Sequence, residues 1–575
     1  MPTTRTLLAI LALPALLGPL AAPATADVLK LQQLEIVGRF ETGIFDESAA
    51  EIVDFDPVSQ RLFVVNAEVG VDILDISDPS NPVKVGDITV PDGFDGINSV
   101  AVKNGQVAAA LEGPSATSNG AVFLYDTDGN FQKSYTVGVL PDSLAFTPDG
   151  NTIVVANEAE PDVELDEDEE NVIAFNGDAP GSISIIDLAL DTVTPVTFDA
   201  LNDPTAEQAF RDGGGILSLK DGALPGDPAI TVDQDLEPEY VAITDDGKKA
   251  IVSVQENNAL AIVDLETKTL EALIPLGFKD NSDPANALDP SNRDGEINIR
   301  TGPTLSGFMP DAISTFTKDG ETFIVTANEG DARDFDIRRI KDLTLDPGFD
   351  TAPYVDADAL QDNDEFGRLE ASLTGSDPDG DGDADRLVAF GARSFSIFKL
   401  TGSGLELVFD SGDQLEQLTA ERFPENFNTT NDDNEFENRS DDAGPEPEAV
   451  TVATIGSNIY AFIGLERIGG VVVYDITDPT NPTFLQYINN RDFSQDVEIE
   501  VNGDDVFNPL AGDLGPEGLL YIAPQDSPDG QGLLVVSNEV SGTTTLYRVA
   551  QVPTPTAALA GLTALAGLTL RRRRD

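Results

Sequence analysis

The sequence predicts an all-β fold, a seven-bladed β-propeller with two loop insertions whose ring is closed by its N- and C-terminal strands. A repeated hairpin is the first observation. Residues 141–158 and 310–329 each run from an alternating strand through an Asp-Gly turn into a β-branched strand ending in Asn-Glu, the pattern of two paired antiparallel strands. The second is a third strand closing on an apolar residue and Asp: Leu74-Asp75, Tyr125-Asp126, Ile186-Asp187, Val263-Asp264 and Tyr474-Asp475. The third is recurrence. Seven units start near Glu51, Asn98, Asp142, Glu239, Asp311, Glu448 and Glu517, and a fourth, more polar strand follows in each full unit, as a propeller requires. A parallel β-helix has shorter repeats and lacks these hairpin turns.

In chain order, residues 1–26 read as a Sec export segment. Arg5 precedes an apolar run from Leu7 to about Ala22, then Ala24-Thr25-Ala26, with cleavage expected after Ala26. That leader implies a cell-surface or extracellular location. Residues 27–550 hold the propeller. The strand Leu31 to Val37 precedes the first unit, and the seventh unit has three strands only, ending in Thr543 to Val549. Pairing the two would complete the last blade and remove exposed edges. One insertion runs from about Gly330 to Arg386, inside the fifth unit; the other runs from about Ser411 to Pro445, before the sixth. Long loops on a rigid scaffold are where function concentrates. Residues 551–575 carry Pro553-Thr554-Pro555, an apolar stretch from Ala557 to Leu570, and Arg571 to Arg574. About fourteen apolar residues are short of the roughly 20 that span a bilayer. The segment reads as a sorting tail or as a plain C-terminal anchor, the chain's one link to a membrane. Its three-part layout resembles the PEP-CTERM sorting tails of bacteria, with Thr554 where their Glu stands.

Composition narrows the chemistry. The 575 residues include 103 acidic and 33 basic side chains, a formal net charge of −70. Such a surface repels nucleic acid and attracts cations, and it equally suits a salt-adapted protein. Hydrophobic residues at 40% are enough for packed cores. There is no Cys and no His, which excludes thiolate nucleophiles, Ser-His-Asp catalysis and His- or Cys-ligated zinc. Oxygen ligands remain, and these suit Ca²⁺ first, then other divalent metals such as Mg²⁺ and Mn²⁺.

Acidic residues recur at two places in the units. One set opens the first strand: Glu51, Asp142, Glu239, Asp311, Glu448 and Glu517, with Asn98 in the second unit. The other ends the second strand: Glu68, Glu112, Glu158, Glu256, Glu329, Glu466 and Glu539. With parallel-running first strands, both sets approach one mouth of the channel. Two charges about 4 Å apart repel by about 4 kcal/mol at an effective dielectric of 20, so the ring requires raised pKa values or cations. Arg333, Arg393, Arg439 and Arg467 are the candidate internal cations. Asp142, Glu158, Asp311, Glu329 and Glu446 are candidate metal ligands here; caps on turns are the plainer reading of each. A second candidate is Asp377, Asp379, Asp381, Asp383 and Asp385, alternating with Gly at the sixth place like the first half of a calcium loop. Val388 stands where an EF-hand has its bidentate Glu, so the loop resembles a weaker thrombospondin- or dockerin-like site. The third candidate joins Arg393 in 391–396 with Arg439 to Glu448 and with Glu466-Arg467. Arginines there would clamp a phosphate beside metal-holding carboxylates, or form salt bridges tying a loop down.

Gly-Ala-Arg-Ser-Phe-Ser at 391–396, Arg-Ser-Asp at 439–441, Gly-Pro-Glu-Pro-Glu at 444–448 and Gly-Leu-Glu-Arg at 464–467 resemble the bacterial choice-of-anchor I family. So do Tyr474 to Pro482 and Asn490 to Phe493. The resemblance spans about residues 30–550 and implies interchangeable surface anchors. It extends to the mesenchyme-specific surface glycoproteins of biomineralising animals and to bacterial proteins named alkaline phosphatases. Two functions follow as expectations. One is a calcium-binding surface module for cations, mineral, glycan or another protein. The other is a calcium-dependent phosphoesterase acting on a phosphorylated substrate, with Glu448, Glu466, Arg393, Arg439 and Arg467 as its catalytic set.

Overall fold

The computed structural model describes residues 29–553 except 166–171, 223, 227, 403 and 502–503. The export segment and the sorting tail expected from the sequence lie outside the described residues. Seven antiparallel sheets of four strands each organise the chain as a β-propeller. Their innermost strands are Val53–Asp56, Ile97–Lys103, Pro141–Phe146, Val241–Ile243, Ile313–Lys318, Pro447–Ile455 and Pro516–Ile522. Each packs on the innermost strand of the next sheet, and that of the seventh packs on that of the first.

Burial explains the strand composition. Second strands, such as Gln106–Leu111 and Asn458–Leu465, are buried almost throughout, because both faces meet neighbouring sheets. Ala108 and Ala110 face Ile153, Val155 and Ile186 of the third sheet, small against large as close-packed layers demand. Fourth strands, such as Val83–Thr89, are mostly exposed. The recurring apolar-Asp ending has a local cause. Oδ1 of Asp75, Asp187, Asp264 and Asp475 accepts the amides of Ser77 (2.8 Å), Leu190 (2.9 Å), Thr267 (2.7 Å) and Thr477 (3.0 Å). These Asx turns steer the chain into the fourth strand.

The N-terminal strand is Leu29–Glu41, longer than expected, and it pairs antiparallel with Thr543–Pro553. Leu34 sits opposite Val549 and, at 1% exposure, packs with Phe462 and Val473 of the sixth sheet.

Insertions are more numerous than the two expected. The fifth-sheet insertion lies between Asn328 and Ser394 and contributes to a five-stranded mixed sheet with its own core around Ile340, Phe366 and Leu369. Two strands of that sheet, Phe278–Asp280 and Leu305–Gly307, come from a further insertion ahead of the fifth unit. The segment before the sixth sheet carries the helix Gln414–Arg422. Further excursions are the hairpin Asp162–Leu165 with Val172–Gly177, and the short helices between 199 and 235.

Because Leu34 fastens the N-terminal strand to two sheets, Leu34→Ala should destabilise the protein by about 2–5 kcal/mol. Urea unfolding would measure it. A loss under about 1 kcal/mol would mean that the strand pairs without being part of the core.

Candidate functional site

The innermost strands all begin at one end of the channel, and there the backbone aims their side chains. Register shifts fall between Ile97 and Ser99, Pro141 and Leu144, Pro447 and Val450, and Pro516 and Gly518. A bulge leaves its extra residue unpaired and turns the side chain away from the sheet. Asn98, Asp142, Glu448 and Glu517 sit at these bulges. On the second strands, buried asparagines lock the ends. Asn157 Nδ2 donates to Ser182 O (3.0 Å), Asn328 Nδ2 to Ser396 Oγ (2.8 Å) and Asn538 Nδ2 to Thr543 O (3.1 Å).

A cavity of about 530 Å³ results, and twelve of its lining side chains are Asp or Glu. Every first-strand position expected from the sequence lines it: Glu51, Asn98, Asp142, Glu239, Asp311, Glu448 and Glu517. From the second strands come Glu112, Glu158, Glu256 and Glu329. Glu466 and Glu539 stand close enough to act on Glu448. Glu68 is exposed and is not among the lining residues. Asp95 and Asp331 also line the cavity; neither belongs to a repeat, so no periodic pattern marked them.

Burial and mutual repulsion push several of these carboxyls up. Burial and Glu539 bring Glu51 to about 8, and burial with Glu51 does the same for Glu517. Burial and Glu517 raise Glu539 to about 8; burial and Glu256 raise Asp142 to about 6. Glu158, Glu239, Asp311, Glu329, Glu448 and Glu466 lie well above the ordinary carboxylate range for the same reasons. Glu446 goes the other way. Burial opposes its charge, but Arg439 and Arg467 outweigh it and hold the carboxyl low.

Two triads of carboxylate oxygens lie within 4.8 Å of one another: Asp311, Glu329 and Glu448, and Glu329, Glu446 and Glu466. Glu329 belongs to both. Its Oε2 accepts from Gln255 Nε2 (2.9 Å), whereas buried Glu448 Oε2 and Glu466 Oε2 have no donor at all. Of the four arginines, two face this region. Arg439 bonds Glu446 (2.8 Å) and Asp442 (2.7 Å); Arg467 bonds Glu446 (2.5 Å) and Glu466 (2.9 Å). They border a side cavity of about 180 Å³ that shares Glu329 and Asp331 with the mouth. Glu446 takes a φ of +47°, a left-handed conformation rare for a side chain this long. Arg333 is buried behind the mouth on Asp235 (2.8 Å) and Glu237 (2.7 Å). Arg393 lies apart, bound to Glu416 (2.6 Å) and to the carbonyls of Asp289, Ser440 and Asp442. Its guanidinium joins loops together and is not among the groups lining either cavity.

The Asp377–Asp385 loop is a separate place. Asp377 accepts the amides of Gly380 (2.8 Å), Asp381 (3.2 Å) and Gly382 (2.9 Å). Asp377, Asp379 and Asp385 form one triad; Asp346, Asp383 and Asp385 form another. Asp346 comes from 31 residues before Asp377, so local spacing did not reveal it. Asp381 is in neither triad.

Fold and site define a β-propeller whose channel opens into an acidic, oxygen-only pocket with two arginines at one side. The chain belongs to the choice-of-anchor I family, since residues 51–479 match the model of the choice-of-anchor I domain. It is 31% identical to Gigasin-3a of Magallana gigas over 180 residues, 30% of this chain and 62% of that one. It is 28% identical to the mesenchyme-specific cell surface glycoprotein of Strongylocentrotus purpuratus over 329 residues, 51% of this chain and 41% of that one. The match thus spans less than two thirds of either relative. Among solved structures, Kuenenia stuttgartiensis hydrazine synthase aligns at TM-score 0.42 and 13% identity, over 89% of this chain and 99% of that one. The Myceliophteria thermophila Cps50 (Swd1) β-propeller domain aligns at 0.42 and 9%, over 90% and 100%.

Glu51, Glu517 and Glu539 have folded-state pKa values near 8, above the unfolded value of about 4.3. Between those limits the native state binds more protons than the unfolded one, so stability falls as pH rises. The melting temperature of chelator-treated protein should therefore drop between about pH 5 and 8. Replacing Glu51 and Glu517 together by Gln should flatten that slope. An unchanged slope in the double variant would show that the mouth does not control it.

Proposed function

We propose that this chain is a surface-displayed binding propeller that holds Ca²⁺ at its channel mouth and presents it to a ligand outside. One observation carries the reading. Glu329 stands between two buried carboxylate triads, and each contains an oxygen with no hydrogen-bond donor. A cation shared through Glu329 would satisfy those oxygens and relieve the repulsion around the mouth. Hard oxygen donors in a chain without His or Cys suit Ca²⁺ better than softer metals. Surface display is supported by the choice-of-anchor domain and by a relative named as a cell surface glycoprotein. Export through Sec and the C-terminal tail belong to the same reading. The Asp377–Asp385 loop would be a second, weaker calcium site, with a dissociation constant of roughly 10⁻⁴ to 10⁻³ M.

The position of Arg439 and Arg467 favours a second reading, a phosphoesterase. They flank the side cavity that opens on Glu329, where their remaining N–H groups would orient a phosphoryl oxygen. The bound cation would supply Lewis-acid chemistry.

Calcium titration calorimetry checks the first reading. Glu329→Gln should remove mouth binding, since it takes one ligand from each triad. Asp377→Asn with Asp385→Asn should remove the weak site alone. Unaltered calcium stoichiometry in Glu329→Gln would overturn the mouth as a metal site. Hydrolysis of a chromogenic phosphomonoester and a phosphodiester separates the two readings. Calcium-dependent turnover abolished by Glu448→Gln would make the protein an enzyme; calcium binding without turnover would leave a binding module.

A further inference from the structure

The mouth has a second sector, built by the third and fourth sheets, that the triads leave unused. It carries Asp142 and Glu158 from the third sheet and Glu239 and Glu256 from the fourth, all lining the cavity of about 530 Å³. None of the four belongs to a mouth triad. The fourth sheet brings its own pair to one end: Val241 sits opposite Val252, and Glu239 N donates to Ser253 O (3.0 Å). Glu239 is 7% exposed, and neither of its carboxylate oxygens has a hydrogen-bond donor. Glu256 Oε2 has none either. A proton shared between the two side chains would still leave one Glu239 oxygen without a donor.

A small metal ion does not suit this sector. Oxygens around one Ca²⁺, each about 2.4 Å from it, lie within about 4.8 Å of one another. Among the described residues, no three of these four acids bring oxygens that close together. Buried acceptors so spread need a cation that carries several N–H donors of its own, as an ammonium group does.

The channel below supplies a place for the rest of such a ligand. Ile52, Ser143 and Tyr240 line the mouth and also a second cavity of about 320 Å³. Ser143 follows Asp142 and Tyr240 follows Glu239, so this neck begins directly beneath the acids of the sector. Its walls lie further along the inner strands and include Val100, Leu144, Phe146 and Leu519. An acidic rim above an apolar neck matches a ligand with a cationic head and an apolar chain.

We propose that this sector and the neck bind a small aliphatic amine, its ammonium among Asp142, Glu158, Glu239 and Glu256 and its alkyl chain in the neck. The order of the two cavities sets the direction: the head stays at the mouth and the chain points inward. A lysine side chain of a partner protein would enter the other way round, ammonium first, and leave the neck empty. Burying each methylene of the chain should tighten binding about fourfold. No residue of the Glu329 triads takes part, so this site is independent of the calcium reading.

The test is calorimetric titration of the full chain with methyl-, butyl- and hexylammonium chloride and with Nα-acetyl-lysine amide. Saturating Ca²⁺ and physiological salt screen the rest of the acidic surface. Hexylammonium should bind once per chain, about tenfold more tightly than butylammonium, and more tightly than the lysine amide. Glu239→Gln and Glu256→Gln should each weaken hexylammonium by about tenfold and keep the calcium count of wild type. Glu256 is partly exposed, so its variant decides the question if Glu239→Gln fails to fold. Equal affinity for butyl- and hexylammonium would overturn the proposal, and so would tighter binding of the lysine amide. Unchanged hexylammonium affinity in both variants would overturn it too and leave a buried proton on Glu239. Failure of Glu329→Gln to lose calcium would sink the mouth reading without touching this one.

Discussion

Repulsion among buried carboxylates at the channel mouth is the constraint around which the rest of this structure is arranged. The propeller itself creates it. Seven inner strands start at one end of one channel, and bulges at the start of four of them turn Asn98, Asp142, Glu448 and Glu517 away from their sheets. Asp311, Glu329 and Glu448 come within 4.8 Å of one another at that end. At that spacing each ionised pair costs several kcal/mol at an effective dielectric of 20. Three devices offset it. Protons stay on several carboxyls, Arg439 and Arg467 neutralise Glu446, and Arg333 pairs with Asp235 and Glu237 behind the ring. The net charge of −70 has a partly separate origin. The Asp residues ending the third strands are partly exposed, and hydrogen bonds from Ser77, Leu190 and Thr267 hold Asp75, Asp187 and Asp264 below the ordinary range. They serve turns, whereas at the mouth the Ala312 and Ala332 amides that reach Asp311 and Asp331 do not offset burial and repulsion.

Much of the propeller was legible because its unit is written in local chemistry. A hairpin turn, an Asx turn and a bulge each need particular residues within a few positions, and those residues recur. The first-strand acids were legible for that reason, as was the N-terminal strand, whose partner was missing from the last unit. The excursions at 159–181 and 199–235 were not. Their elements are short, and the helix Pro204–Asp212 is only nine residues, too brief for a periodic pattern to stand out from loop composition. Convergence from distant segments was also invisible. The places of Asp331 at the mouth and of Asp346 beside Asp383 and Asp385 depend on how insertions fold back, and no spacing encodes that.

Arg393 shows the opposite limit, where a sequence motif suggests proximity that the chain geometry denies. It follows Gly391, which approaches Gly330 so closely that a Cβ on Gly330 would meet Gly391 N at 2.1 Å. These two glycines stand where the insertion leaves and rejoins the fifth sheet. Arg393 then takes a φ of +52° and directs its guanidinium to Glu416 and the loop carbonyls. Adjacency to the mouth in sequence became a role in holding the insertions together.

The insertions therefore do more than decorate the mouth: they make it asymmetric. Glu51, Asp142 and Glu239 answer mainly to burial and to other carboxylates. On the fifth- and sixth-sheet side, Arg439 and Arg467 arrive on or beside the inserted segment and lower Glu446. Under the proposed reading a cation would be shared through Glu329 between the two triads, and an anionic ligand would find Arg439 and Arg467 beside it. Any ligand that bridges metal and arginine is thereby directed to one sector of an otherwise repeating ring. The repeat supplies the negative field, and the departures from the repeat give it a direction.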